Sequence, residues 1–120
     1  MTFDWRSYLQ LAQFLQGQGG ANCPQEAAER SAVSRAYYAA YGHARTYACQ
    51  HLAFAASGRP EDHKRLQQHF QNQGQVRIAK DLSRLRQWRN DCDYEDSVPH
   101  LVQCVKQSVN YAVRVIDTLK

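Results

Sequence analysis

No stretch of this chain stays apolar for the roughly 20 consecutive residues that a membrane-spanning helix requires. The opening residues Met1-Thr2-Phe3-Asp4-Trp5-Arg6 lack the basic start and apolar core of a secretion signal. Both absences predict a cytoplasmic protein that does not engage a membrane. The four cysteines, Cys23, Cys49, Cys92 and Cys104, form no Cys-x-x-Cys pair and no cluster with histidine at zinc-ligand spacing, so they read as free thiols in a reducing compartment. The five histidines make no metal-binding pair on one helix face, and neither a metal nor a cofactor is expected. A dense basic tract is also missing. The net charge of +4 and the pI near 9.0 come from residues spread over several segments, so a surface for nucleic acid has to be assembled by folding or by dimerisation. Internal repeats are absent, and 120 residues make a single domain over 1–120 with one core.

What the chain does have is helical periodicity almost from end to end. Trp5, Tyr8, Leu9, Ala12 and Leu15 recur at helical spacing from Asp4 to about Gln16, with Thr2 or Asp4 as a cap. Gly17-Gln18-Gly19-Gly20 and Asn22-Cys23-Pro24 break that helix. Pro24, Glu26 and Glu29 suit the start of a long second helix reaching about Ala55, whose apolar face is Val33, Ala36, Tyr37, Ala40, Tyr41, Ala44 and Ala48. Its tyrosines read as core aromatics whose hydroxyls reach a partner or water, against the alternative of a base-stacking platform. After the turn Ser57-Gly58-Arg59-Pro60-Glu61-Asp62, in which Asp62 is placed to cap, a third helix runs over about His63 to Asn72. A fourth begins at Val76 and stops near Asp96. A fifth, with Ser97 as cap and Pro99 in its first turn, keeps its period through Leu101, Val102, Val105, Val109, Ala112, Val113, Ile116 and Leu119. The expected fold is an all-α, antiparallel up-and-down bundle of about five helices, with the second, fourth and fifth supplying most of the core.

The fourth helix carries the functional signal. Ile78, Leu82, Leu85 and Cys92 fall on one stripe, and Arg89 falls in the middle of it, whereas Arg77, Lys80, Arg84 and Asp91 take the opposite face. A guanidinium on a core-facing stripe must be paired, line a cleft or extend to solvent along its stem. Asp93, one turn on, is its nearest partner. A structural ion pair and a functional cation both satisfy this pattern. Asn90, Asp93 and Tyr94 close to Arg89 add an amide, an acid and a phenol in one short segment.

Arg89-Asn90-Asp91-Cys92-Asp93-Tyr94, preceded by Leu82-Ser83-Arg84-Leu85-Arg86, resembles the signature segment of the HEPN superfamily. The earlier run Arg30-Ser31-Ala32-Val33-Ser34-Arg35-Ala36-Tyr37-Tyr38-Ala39-Ala40-Tyr41 resembles the second helix of that family, in the same order along the chain. His63-Lys64 resembles the histidine-lysine pair that opens the family's variable connection. The resemblance implies a helical bundle that commonly forms homodimers, and many members are ribonucleases of defence or toxin–antitoxin systems. It gives the catalytic arginine role to Arg89 and the polar role to Asn90. Where the family motif continues to a histidine, this chain has Tyr94, and His100 lies too far on, beyond Pro99.

That departure bears on chemistry. Metal-independent RNA cleavage needs a group that moves a proton from the 2′-hydroxyl near neutral pH, which histidine does well and tyrosine, with a reference pKa of about 10, does poorly. Members with this tyrosine form resemble partners of small nucleotidyltransferases encoded beside them. The expectation is therefore a binding protein, the toxin-like component of a two-gene module with a nucleotidyltransferase, which holds RNA, a nucleotide or its partner at an arginine-lined cleft. Arg30, Arg89 and Asp93 are the expected ligand-binding residues. The alternative is an endoribonuclease with an altered motif that uses Arg89, Asn90 and Tyr94.

Overall fold

The computed structural model describes residues 2–18 and 23–120. Five helices follow one another: α1 (Arg6–Leu15), α2 (Gln25–His51), α3 (Asp62–Asn72), α4 (Val76–Tyr94) and α5 (Leu101–Thr118). The all-α bundle expected from periodicity is what forms. Gly19, Gly20 and Asn22, on which the expected break between the first two helices partly rests, lie outside the described residues, as does Met1.

The organising feature is a ladder of alanines on α2. Ala32, Ala36, Ala40, Ala44 and Ala48 recur every fourth residue, and each is fully buried. Side chains this small let neighbouring helices approach closely. Ala112, Val109 and Val115 of α5 and Ile78, Leu82 and Leu85 of α4 fill the same core. A second cluster of Ala32, Val33, Cys92, Cys104 and Val105 closes one end of the bundle. The pairings fix direction. Arg30 meets Cys92, and Arg114 meets Asp81, so α4 runs antiparallel to both α2 and α5. Val33 lies with Val105 and His43 bonds Leu119, so α2 and α5 run the same way. Leu82, Leu85, Val105 and Val109 are all buried, as an amphipathic reading of α4 and α5 requires.

The helix ends differ from expectation at three places. α2 stops at His51 rather than about Ala55, because Ala53 takes a left-handed conformation and the Phe54 N–H closes onto the Ala48 carbonyl. This reversal sends Phe54 back into the core, which rewards the strained backbone with a buried aromatic ring. Asp62 is the first residue of α3 rather than its cap, and its carboxylate serves the preceding turn instead. α5 begins at Leu101, with Pro99 outside it and His100 in a left-handed conformation at the N-cap position.

Gly42 on α2 has a definite use. A Cβ there would lie 2.0 Å from Cδ2 of Trp5, so the absence of a side chain is what seats the indole on α2. Replacing glycine by alanine inside a helix normally stabilises it by about 0.5–1 kcal/mol. Overpacking costs about 1–3 kcal/mol and should win here, because an indole ring is too bulky to yield that distance without leaving its seat. Gly42→Ala is therefore expected to lower stability and to expose Trp5. Thermal melting, together with tryptophan fluorescence in a Trp88→Phe background, checks both.

Candidate functional site

Five parts of the chain enclose a cleft of about 510 Å³. α2 contributes Tyr38, Tyr41 and Arg45, which share a face by their spacing. The turn before α3 contributes Gly58, Arg59 and Pro60, α3 opens with Asp62 and His63, and α4 supplies Arg86, Arg89 and Tyr94. Trp5, held against Gly42, forms the remaining wall. A smaller hollow of about 340 Å³, with Tyr8, Ser34, Arg35 and Asp93, adjoins it through the shared Trp5, Tyr38 and Arg89.

Four arginines therefore meet in one cleft, and the acids that could neutralise them are largely committed elsewhere. Asp62 is buried, and its carboxylate accepts hydrogen bonds from the Ser57 hydroxyl (2.6 Å), the Ser57 and Gly58 backbone N–H groups (2.9 and 3.0 Å) and Arg65 (2.5 Å). Among the described residues Arg45, Arg59 and Arg86 form no salt bridge with any carboxylate. Arg45 lies over the rings of Trp5 and Tyr41, at 5.5 and 5.4 Å from their centroids.

Arg89, expected from its stripe to be paired or to line a cleft, does both. Its Nε sits 2.9 Å from Asp93 Oδ2, but the N–H is not aimed at that oxygen and makes no hydrogen bond. Nη1 donates to Asn90 Oδ1 at 2.9 Å, and the guanidinium lies between the rings of Tyr38 and Tyr94, at 5.2 and 5.5 Å. Asp93 also accepts from the Ser34 hydroxyl at 3.3 Å. Asn90 orients Arg89 but does not line the cleft, whereas Tyr94 does, 72% exposed at its mouth.

Arg30 is not brought to this site. Its guanidinium donates to Glu26 and to the backbone carbonyls of Cys92, Glu95 and Asp96, at 2.6–3.0 Å, and so caps the carbonyl end of α4. Its remaining hydrogen bond, to Glu26, lies within α2.

His63 is the residue that sequence reasoning left aside. Its ring stacks on Tyr41, with centroids 4.2 Å apart and planes 16° from parallel, and its Nδ1 hydrogen-bonds the Tyr37 hydroxyl. Burial, with Arg86 and Arg89 adding repulsion, holds its pKa below the usual histidine value. Burial likewise pushes the Tyr37 and Tyr41 hydroxyls above theirs. Arg86 and Arg45 were equally hard to single out, because each is an ordinary arginine beside an apolar stripe until the helices pack.

A hollow of similar size, about 530 Å³, lies between the end of α4 and the start of α5. Its single arginine, Arg84, is laid over Trp88 at 5.1 Å and shares the wall with Asp91 and Glu95. That mixture has no net pull on an anion, so the arginine cleft is the better site for a phosphate-bearing ligand. Among the described residues no group of three or more His, Cys, Asp or Glu side chains is placed to hold a metal ion, and no helix is long and apolar enough to cross a membrane.

The Asp62 cage gives the turn under Arg59 and His63 a specific acid sensitivity. The Ser57 hydroxyl, followed by the surrounding N–H groups and Arg65, lowers the Asp62 pKa from 3.8 to about 2. A carboxylate with a depressed folded-state pKa contributes stability above its unfolded value and loses it as the pH falls through the folded one. Melting temperature should therefore decline between about pH 4 and pH 2. Asp62→Asn, already without that charge, should show a flatter decline over the same window.

The fold and cleft define an all-α bundle with a cationic, aromatic-walled site. Comparison with protein-family models, curated proteins and solved structures returns no match.

Proposed function

We propose that this chain is a HEPN-like binding protein whose arginine cleft holds the phosphate of an RNA or nucleotide, and that it serves as the toxin-like component of a two-gene module with a small nucleotidyltransferase. The observation that carries the reading is the convergence of Arg45, Arg59, Arg86 and Arg89 on one cleft in which Asp62 is already fully hydrogen-bonded. Arg45, Arg59 and Arg86, which form no salt bridge among the described residues, repel one another, and a bound phosphate relieves that repulsion while using their forked donors. The motif resemblance supplies the module and its homodimeric state, with the motif segments of two copies facing across a shared cleft.

Arg86 offers a clean test because it is bound by no carboxylate and its loss orphans no acid. Arg86→Ala is expected to weaken binding of a short RNA by about tenfold and to reduce the salt dependence of that binding by about one phosphate contact. Titrations at two or more salt concentrations measure both. A wild-type protein that binds neither RNA nor mononucleotide at low salt would defeat the reading. Light scattering at micromolar and higher concentrations tests the homodimer, and co-purification with the product of an adjacent nucleotidyltransferase gene tests the module.

A further inference from the structure

The hydrogen bond between Tyr37 and His63 decides which imidazole nitrogen carries the proton. Tyr37 is 1% exposed, and among the described residues its hydroxyl has one hydrogen-bond partner, His63 Nδ1. If Nδ1 were protonated, it would donate to the phenol oxygen, and the phenol hydrogen would be left buried without an acceptor. An orphaned buried donor is costly. If instead the phenol donates, Nδ1 is the acceptor and both groups are satisfied. The proton of the neutral ring then sits on Nε2, for which no protein partner exists among the described residues and which belongs to a side chain lining the cleft.

The groups facing the ring agree. From α2 come Tyr38, Tyr41 and Arg45, from α4 come Arg86 and Arg89, and from the start of α3 comes Asp62, whose oxygens are already occupied. Positive charge on two sides opposes a second proton on the imidazole, and stacking against Tyr41 restricts rotation of the ring. Both nitrogens thus have fixed roles.

We propose that Tyr37 locks His63 as a neutral hydrogen-bond donor, with its proton on Nε2, and that this N–H binds a phosphate oxygen alongside the cleft arginines. The inference rests on the anion-binding reading and assigns the site a neutral donor that the motif residues do not supply. A nitrogen that already carries its proton has no lone pair with which to accept one from a 2′-hydroxyl, so in this state Nε2 is a donor to the ligand and not a general base. Tyr37, which touches no ligand, is the positioning residue.

The test uses the full chain with ¹⁵N-labelled histidine, His63 being assigned by its disappearance in His63→Gln. Long-range nitrogen–proton correlations at about pH 7 are expected to show an unprotonated Nδ1 and a protonated Nε2. Inorganic phosphate should shift the Nε2 signal. Titration with a mononucleotide and with an RNA lacking terminal phosphates then distinguishes a monoester from a diester as the ligand.

His63→Gln places an amide donor near the position of Nε2 and should bind within about threefold of wild type, whereas the shorter His63→Asn should lose about tenfold. Tyr37→Phe should yield mixed tautomers and phosphate binding that varies with pH. Melting curves confirm that each variant is folded. A protonated Nδ1 in the wild type, wild-type affinity in His63→Asn, or RNA cleavage that His63→Gln abolishes would each overturn the lock while leaving anion binding standing. Failure of phosphate, mononucleotide and RNA alike to perturb any cleft resonance would overturn both.

Discussion

An Arg114→Ala variant is expected to melt about 10 °C below the wild type, the largest single loss of stability in the molecule outside its apolar core. Asp81 on α4 has a side chain only 5% exposed, and Arg114 on α5 holds both of its oxygens, with Nε at 2.9 Å and Nη2 at 2.7 Å. Removing the guanidinium leaves a buried carboxylate with no counter-charge. For a fully buried pair that costs about 3–5 kcal/mol. Arg114 is 37% exposed, so water reaches its outer side, and about 2–3 kcal/mol is the better figure. The Arg114 guanidinium also lies over the Tyr111 ring, 4.3 Å from its centroid, and that contact goes with it. A double variant, Asp81→Leu with Arg114→Met, should recover most of the loss, because two apolar groups of similar volume need no pairing. Thermal and denaturant melts of the three proteins measure this. A double variant no more stable than Arg114→Ala would show that packing, not the orphaned charge, sets the loss.

Arg89→Ala is expected to behave in the opposite manner, with a large loss of ligand and a small loss of fold. Its partner Asp93 keeps a side chain 28% exposed and retains the Ser34 hydroxyl, so the carboxylate left behind is hydrated and hydrogen-bonded. A stability cost of about 1 kcal/mol follows. Phosphate binding should fall about 10- to 100-fold, because a charge-assisted hydrogen bond contributes about 1.5–3 kcal/mol and the guanidinium lines both hollows of the site. Arg89→Lys should recover only part of the affinity, since an ammonium keeps the charge but loses the planar fork lying between Tyr38 and Tyr94. Melting temperature and binding of RNA and mononucleotide at stated salt, measured side by side, separate the roles. A stability loss as large as that of Arg114→Ala, with binding unchanged, would assign Arg89 to structure.

The two arginines show what can and cannot be read along a chain. Arg89 stood out because it interrupts an apolar stripe within its own helix, and its aspartate lies one turn away; both facts are local. Arg114 and Asp81 are 33 residues apart and sit on different helices, and nothing in the sequence distinguishes them from surface charges. The partners of Arg30 were hidden for the same reason. This arginine is among the expected ligand-binding residues, whereas carbonyls 62 to 66 residues further along the chain take up its donors. The histidine sought along α4, a few residues beyond Arg89, is absent there. The one that faces Arg86 and Arg89 comes from the start of α3.

By itself the sequence determined the class of the fold, the number of helices and their apolar faces, because hydrophobic periodicity and glycine or proline breaks act over a few residues and need no knowledge of the partner helix. It also determined that Arg89 has to be compensated. The tertiary structure decided where α2 ends, since a buried Phe54 outweighs the cost of a left-handed Ala53. It decided which charges stand without partners, that His63 Nδ1 meets the Tyr37 hydroxyl, and that Gly42 seats Trp5. These outcomes depend on distances between segments far apart in the chain, and electrostatics and packing are set by such distances rather than by residue order.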